Sequence, residues 1–69
     1  MKRESVESSN IASIGYDEAS HTLEIEFLNG NVYQYFDVPK NIYEGIMKAS
    51  SHGEYLASQI KGNYRYSKV

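Results

Sequence analysis

The chain has 69 residues, with seven Lys/Arg against nine Asp/Glu for a net charge of -2, and no cysteine. That length supports one domain and excludes a second, because so short a chain buries only about 60% of the surface its unfolded form exposes. The charge balance disfavours a strong, non-specific binder of phosphate backbones, and the lack of thiols removes disulfides, thiolate zinc sites and cysteine nucleophiles.

Residues 1–8 are polar and charged with little apolar content, and read as a flexible N-terminus before a single domain over 9–69. From Asn10 to Tyr16, Ala12, Ile14 and Tyr16 alternate with Ile11, Ser13 and Gly15, a period of two that predicts a first strand. Asp17-Glu18-Ala19-Ser20-His21 forms a polar loop. Thr22 to Leu28 is the clearest strand, with Leu23, Ile25 and Phe27 facing in and Thr22, Glu24 and Glu26 facing out.

Asn29-Gly30 then turns the chain into a third strand around Tyr33-Gln34-Tyr35, and two registers are open. A two-residue type I′ turn pairs Phe27 with Val32 and Leu23 with Phe36, which sends Tyr33 and Tyr35 to the far face beside Glu26 and Glu24. A three-residue turn with a bulge at Gly30 pairs Ile25 with Tyr33 and Leu23 with Tyr35, which makes both tyrosines core.

Pro39 has no N–H to lose, so a helix can start there. Ile42, Tyr43, Ile46 and Met47 recur at helical spacing in one apolar stripe through Ala49. Gly45 inside it costs about 1 kcal/mol relative to Ala, which implies close packing or a weak helix. Ser51-His52-Gly53-Glu54 has the spacing of a capping box and predicts a second helix with Tyr55, Leu56 and Ile60 inward and a stop at Lys61-Gly62. Tyr64-Arg65-Tyr66 alternates again as a short last strand. The expected fold is α+β: a small antiparallel sheet of three or four strands with two short helices packed on one face, over a core of Ile14, Leu23, Ile25, Phe27, Ile42, Ile46, Leu56 and Ile60.

Nothing in the chain spaces residues for catalysis. His21 falls in a loop and His52 in a capping box, and two lone histidines without patterned acidic partners do not make a metal site. Alternation on the outer face of a strand explains Glu24 and Glu26 completely, and the serine pairs 8–9 and 50–51 lack a nucleophile elbow. A module without enzymatic activity and without cofactor is expected. No apolar run approaches the roughly 20 residues that span a bilayer, and Met1-Lys2-Arg3 precedes polar residues rather than an apolar signal region, so the expected location is cytoplasmic, without a membrane partner.

Seven tyrosines and no tryptophan stand in this short chain, four of the tyrosines in two Tyr-x-Tyr pairs at 33/35 and 64/66. On a strand such a pair puts both rings on one face, as in sheets that stack unpaired bases; equally, tyrosine is a good strand former whose ring fills a small core. The charges are unevenly spread. Seven acids lie between Asp17 and Glu54 against Lys40 and Lys48, whereas the tail from Lys61 holds Lys61, Arg65 and Lys68 and no acidic side chain. Aromatics among cations suit nucleic acid, so the candidate contact set for RNA is Tyr64, Arg65, Tyr66, Lys61 and Lys68, joined by Tyr33 and Tyr35 if they face outward. The alternative is a protein-interaction adaptor or homodimer module that docks through a sheet face or an unpaired edge strand.

Ser9-Asn10-Ile11, Gly15-Tyr16-Asp17, Leu23-Glu24-Ile25-Glu26-Phe27, Asn29-Gly30, Tyr33-Gln34-Tyr35, Val38-Pro39 and Ser51-His52-Gly53-Glu54-Tyr55, with Ile60 and Tyr64, follow in an order that resembles the KTSC domain. That family is named for its occurrence at the C-terminus of some lysyl-tRNA synthetases and is also found as a free-standing bacterial protein. The resemblance implies a small domain without established activity, and attachment to a tRNA-charging enzyme points to RNA or tRNA as partner.

Overall fold

The computed structural model describes residues 1–69. Its strands are β1 (Arg3–Ser5), β2 (Ile11–Asp17), β3 (Thr22–Phe27), β4 (Val32–Tyr35) and β5 (Tyr66–Lys68); its helices are α1 (Lys40–Lys48) and α2 (His52–Tyr55), and α2 continues into a π-helical turn over Leu56–Ile60. Neighbouring strands pair antiparallel in the order β1-β2-β3-β4-β5, and both helices lie in the connection from β4 to β5. The α+β class is as expected, but the sheet has five strands rather than three or four.

The additional strand is β1, within the stretch read as a flexible N-terminus. Three residues with two charges carry no legible period. They are held instead by backbone pairing, Arg3 opposite Gly15 and Ser5 opposite Ser13, and by the Arg3 guanidinium, whose Nη1 donates to Glu24 Oε2 at 2.8 Å. Gly15 is required for this approach, because a Cβ there would fall 2.7 Å from the Lys2 carbonyl oxygen.

The hairpin takes the three-residue turn. Phe27 N–H donates to Asn31 O at 2.8 Å, Gly30 N–H donates to Phe27 O at 3.0 Å, and Asn29 Oδ1 accepts from Asn31 N–H at 3.0 Å. Gly30 sits at φ +94°, open to glycine without steric cost. The resulting pairs are Ile25 with Tyr33 and Leu23 with Tyr35, so both tyrosines lie on the face that carries the core.

A second irregularity moves Ile11. The register between β2 and β3 steps from Ile11 opposite Phe27 to Ser13 opposite Glu26, leaving Ala12 as the extra residue of a bulge. Simple alternation puts Ile11 on the outer side; the bulge rotates it onto the inner one, where it is fully buried. The core consists of Ile11, Ile14, Leu23, Ile25, Tyr35, Val38, Ile46, Leu56 and Ile60. Phe27 and Ile42, expected within it, are only partly buried and pack against its edge.

Pro39 is the N-cap of α1, extended at ψ 153°, rather than its first helical residue. Ile46 is buried under the helix, and Ile42, Tyr43 and Met47 flank it. Gly45 has a packing reason: a Cβ would lie 2.6 Å from Tyr55 Cζ, so the glycine lets α2 close on α1. Ser51 caps α2 as expected, its Oγ accepting from Glu54 N–H at 3.3 Å. His52 Nδ1 lies 2.7 Å from Ile46 O, and since a carbonyl only accepts, Nδ1 carries the proton and ties α2 to the end of α1.

Candidate functional site

The three-residue turn that fixes the register also places an aromatic cluster at one end of the sheet. Tyr66 on β5 pairs with Tyr35 on β4, and its ring lies 5.8 Å from both the Tyr33 and the Tyr35 ring. Tyr33 in turn meets Phe27 edge-on at 5.7 Å. These four rings line a recess of about 500 Å³ together with Asn29, Asn31, Lys61 and Gly62. The helical stop at Lys61-Gly62 brings the lysine there: its N–H still bonds Leu56 O at 2.8 Å, Gly62 takes φ +83°, and Nζ stands 6.0 Å above the Phe27 ring.

Polar groups in the recess are largely uncommitted. Neither Asn31 nor Tyr33, Tyr35 or Tyr66 makes a side-chain hydrogen bond within the protein, in contrast to Tyr16, whose hydroxyl donates to Val38 O at 2.5 Å. Tyr35 is only 3% exposed, and burial, then Tyr33, then Tyr66, push its phenol above the ordinary 10.0. It therefore stays a neutral donor at physiological pH. No carboxylate lines the recess, and the three ion pairs of the protein, Arg3–Glu24, Lys40–Glu18 and Arg65–Asp37, leave Lys61 outside them.

Of the residues singled out in the sequence, Tyr33, Tyr35, Lys61 and Tyr66 come together in this recess. Lys68 stands opposite Tyr33 in the β4–β5 register, which puts it on the same face. Tyr64 packs half-buried against the core. Arg65 lies apart: its guanidinium donates to Asp37 Oδ2 at 2.9 Å and sits 5.7 Å over the Phe36 ring. Phe27, Asn29 and Asn31 were not singled out. Their signal was the turn itself, because only the three-residue register puts Tyr33 and Tyr35 on the same face as Phe27.

The opposite face of the sheet carries a second recess, lined by Met1, Lys2, Tyr16, Asp17, Glu24 and Gln34. Its buried carboxylate is already satisfied, since Glu24 accepts from Arg3 and, at 2.8 Å, from Gln34 Nε2. Glu26 there accepts from Ser13 at 2.8 Å. These contacts account for the polar alternation of β3 as structure. No helix of the protein is long and apolar enough to cross a membrane.

Comparison with known proteins agrees with this architecture. The family model of the KTSC domain matches residues 7–64, and the chain belongs to that family. It is 36% identical over 70 residues to an uncharacterised protein from Stutzerimonas stutzeri (strain A1501), covering 100% of this chain and 99% of that one. It is also 36% identical over 63 residues to the lysine–tRNA ligase of Nostoc punctiforme, covering 91% of this chain but 11% of the ligase. The crystal structure of a KTSC domain protein from Yersinia pestis superposes with a TM-score of 0.93 at 40% identity, covering 99% of this chain and 96% of that one.

Proposed function

We propose that this KTSC domain is a non-enzymatic module that binds RNA, with tRNA the first candidate, through the aromatic recess and the lysines beside it. The observation that carries the reading is the recess itself: four aromatic rings share it with Lys61, and no carboxylate lines it. Rings without a cation would serve any apolar ligand, and an aromatic cage for a quaternary ammonium would be opposed by the lysine. Rings with a cation suit a ligand that is aromatic and anionic at once. The resemblance to a segment of a lysine–tRNA ligase supports the same reading, because that enzyme by its name acts on tRNA. Lys61, Lys68, Tyr66 and Tyr33 form the proposed contact set, Tyr35 is its floor, and Tyr64 and Arg65 contact the ligand only where it extends past β5.

The other reading of the sequence is a protein-interaction adaptor or homodimer module that docks through a sheet face or an unpaired edge strand. Both edges, β1 and β5, are three residues long and carry Arg3, Glu4 and Lys68, features that blunt edge pairing. An NMR titration with a pool of short single-stranded RNAs at low salt tests the proposal. The amides of Tyr33, Lys61 and Tyr66 are expected to shift, and the shifts to fade as salt rises. Absence of any shift, or salt-tolerant self-association with shifts confined to β1 and β5, would overturn it.

A further inference from the structure

Within the RNA-binding reading, on which this step rests, we infer that the recess takes one unpaired nucleotide, its base against the exposed ring of Tyr66 and its phosphate at Lys61. The geometry separates the two halves of such a ligand. Tyr66 is 62% exposed yet backed by both Tyr33 and Tyr35, so its ring is held in place while remaining open to a stacking partner. Lys61 Nζ is poised over Phe27, a ring that meets Tyr33 edge-on. Cation and open ring thus line one recess, which offers a base face and a phosphate partner to the same ligand.

Base edges find donors and acceptors in the recess as well. The Asn31 amide and the hydroxyls of Tyr33, Tyr35 and Tyr66 are free of protein partners. A base locked in a duplex presents neither its face nor its full Watson–Crick edge, whereas a splayed base presents both. The expected ligand class is therefore a single strand or loop, and a duplex is a poor substitute despite its higher charge density. With so few cations in the site, phosphate attraction alone supplies little affinity.

The test compares three probes on the wild-type protein at one low salt concentration: a short single-stranded RNA, the same strand annealed to its complement, and an abasic strand of equal length and charge. The single strand is expected to bind at least about fivefold more tightly than the abasic strand, the lower end of base–aromatic stacking. It should quench tyrosine fluorescence, and the duplex should do neither. Tyr66→Leu is expected to bring the single strand down to the abasic level, while Lys61→Ala weakens both strands alike. Equal binding of the base-bearing and abasic strands would overturn the inference while leaving RNA binding intact. Failure of all three probes to bind would overturn both, and since the comparison uses the unaltered chain, neither result depends on a variant folding.

Discussion

Tyr16 and Tyr35 show how position sets the chemistry of a single residue type. Burial raises the Tyr35 phenol above its ordinary 10.0, with Tyr33 and Tyr66 adding to the effect. Burial likewise raises Tyr16, followed by Glu18 and, with Lys40 pulling the other way, Asp17. Both folded values exceed the unfolded one, so the associated stability is fully present below the unfolded value and is lost as pH rises through the folded values. The contribution of these two phenols to the denaturant midpoint should therefore be constant up to about pH 10 and fall above it, and two of the seven phenols should ionise late in an absorbance titration. Tyr35→Phe should lessen the alkaline loss without disturbing stability at neutral pH, because its hydroxyl bonds no protein group. An undiminished loss in that variant would show that another group governs it. In the chain alone these tyrosines are indistinguishable from Tyr43 or Tyr55. Which phenol is enclosed depends on what covers it, and that is a property of contacts.

Among the elements, β1 and the Asn29-Gly30 hairpin were the least legible, and the hairpin matters most for the site. A three-residue strand cannot display a period, so β1 depends on the partner that accepts Arg3. Arg3 and Arg65 each make an ion pair at 2.8–2.9 Å, but the settings differ. Glu24 is 8% exposed and shared with Gln34, whereas Arg65 and Asp37 are 78% and 77% exposed. Arg3→Ala leaves a buried carboxylate short of a donor and is expected to cost about 1 to 3 kcal/mol. Arg65→Ala should cost less than about 1 kcal/mol, since solvent screens an exposed pair. Urea denaturation of the two variants checks the order, and equal costs would mean that β1 contributes no more than a surface contact. The helices, by contrast, were readable because their signals are local. Ser51 caps its own helix three residues on, and the stripe of Ile42, Ile46 and Met47 needs no distant partner to be seen. Gly45 was legible as an oddity but not as a contact, because its explanation, Tyr55, lies on the next helix.

The whole molecule is acidic, with a net charge of -2, while the proposed site is locally basic. Long-range attraction of a polyanion is therefore weak, and affinity must come from short-range contacts at Lys61 and Lys68. If those two cations neutralise two phosphates of a single strand, the logarithm of the binding constant should fall with the logarithm of salt at a slope of about -1.4. Lys61→Ala should reduce that slope by about 0.7, measured by fluorescence anisotropy over a salt series. A slope unchanged by Lys61→Ala would remove this lysine from the interface.

Periodicity and turn chemistry in the chain determined the α+β class, the central strands, the two helices with the Ser51 cap, and the membership of Leu23, Ile25, Ile46, Leu56 and Ile60 in the core. All of these arise from residues a few positions apart. Tertiary structure alone decided the hairpin register, the bulge that turns Ile11 inward, the edge strand β1, and the gathering of Phe27, Tyr33, Tyr35, Tyr66 and Lys61 into one recess. The physical reason is that a shift of one residue exchanges the two faces of a strand at little local cost. Only the partner surfaces, in this case the helices on one side and Arg3 with Glu24 on the other, can tell the faces apart.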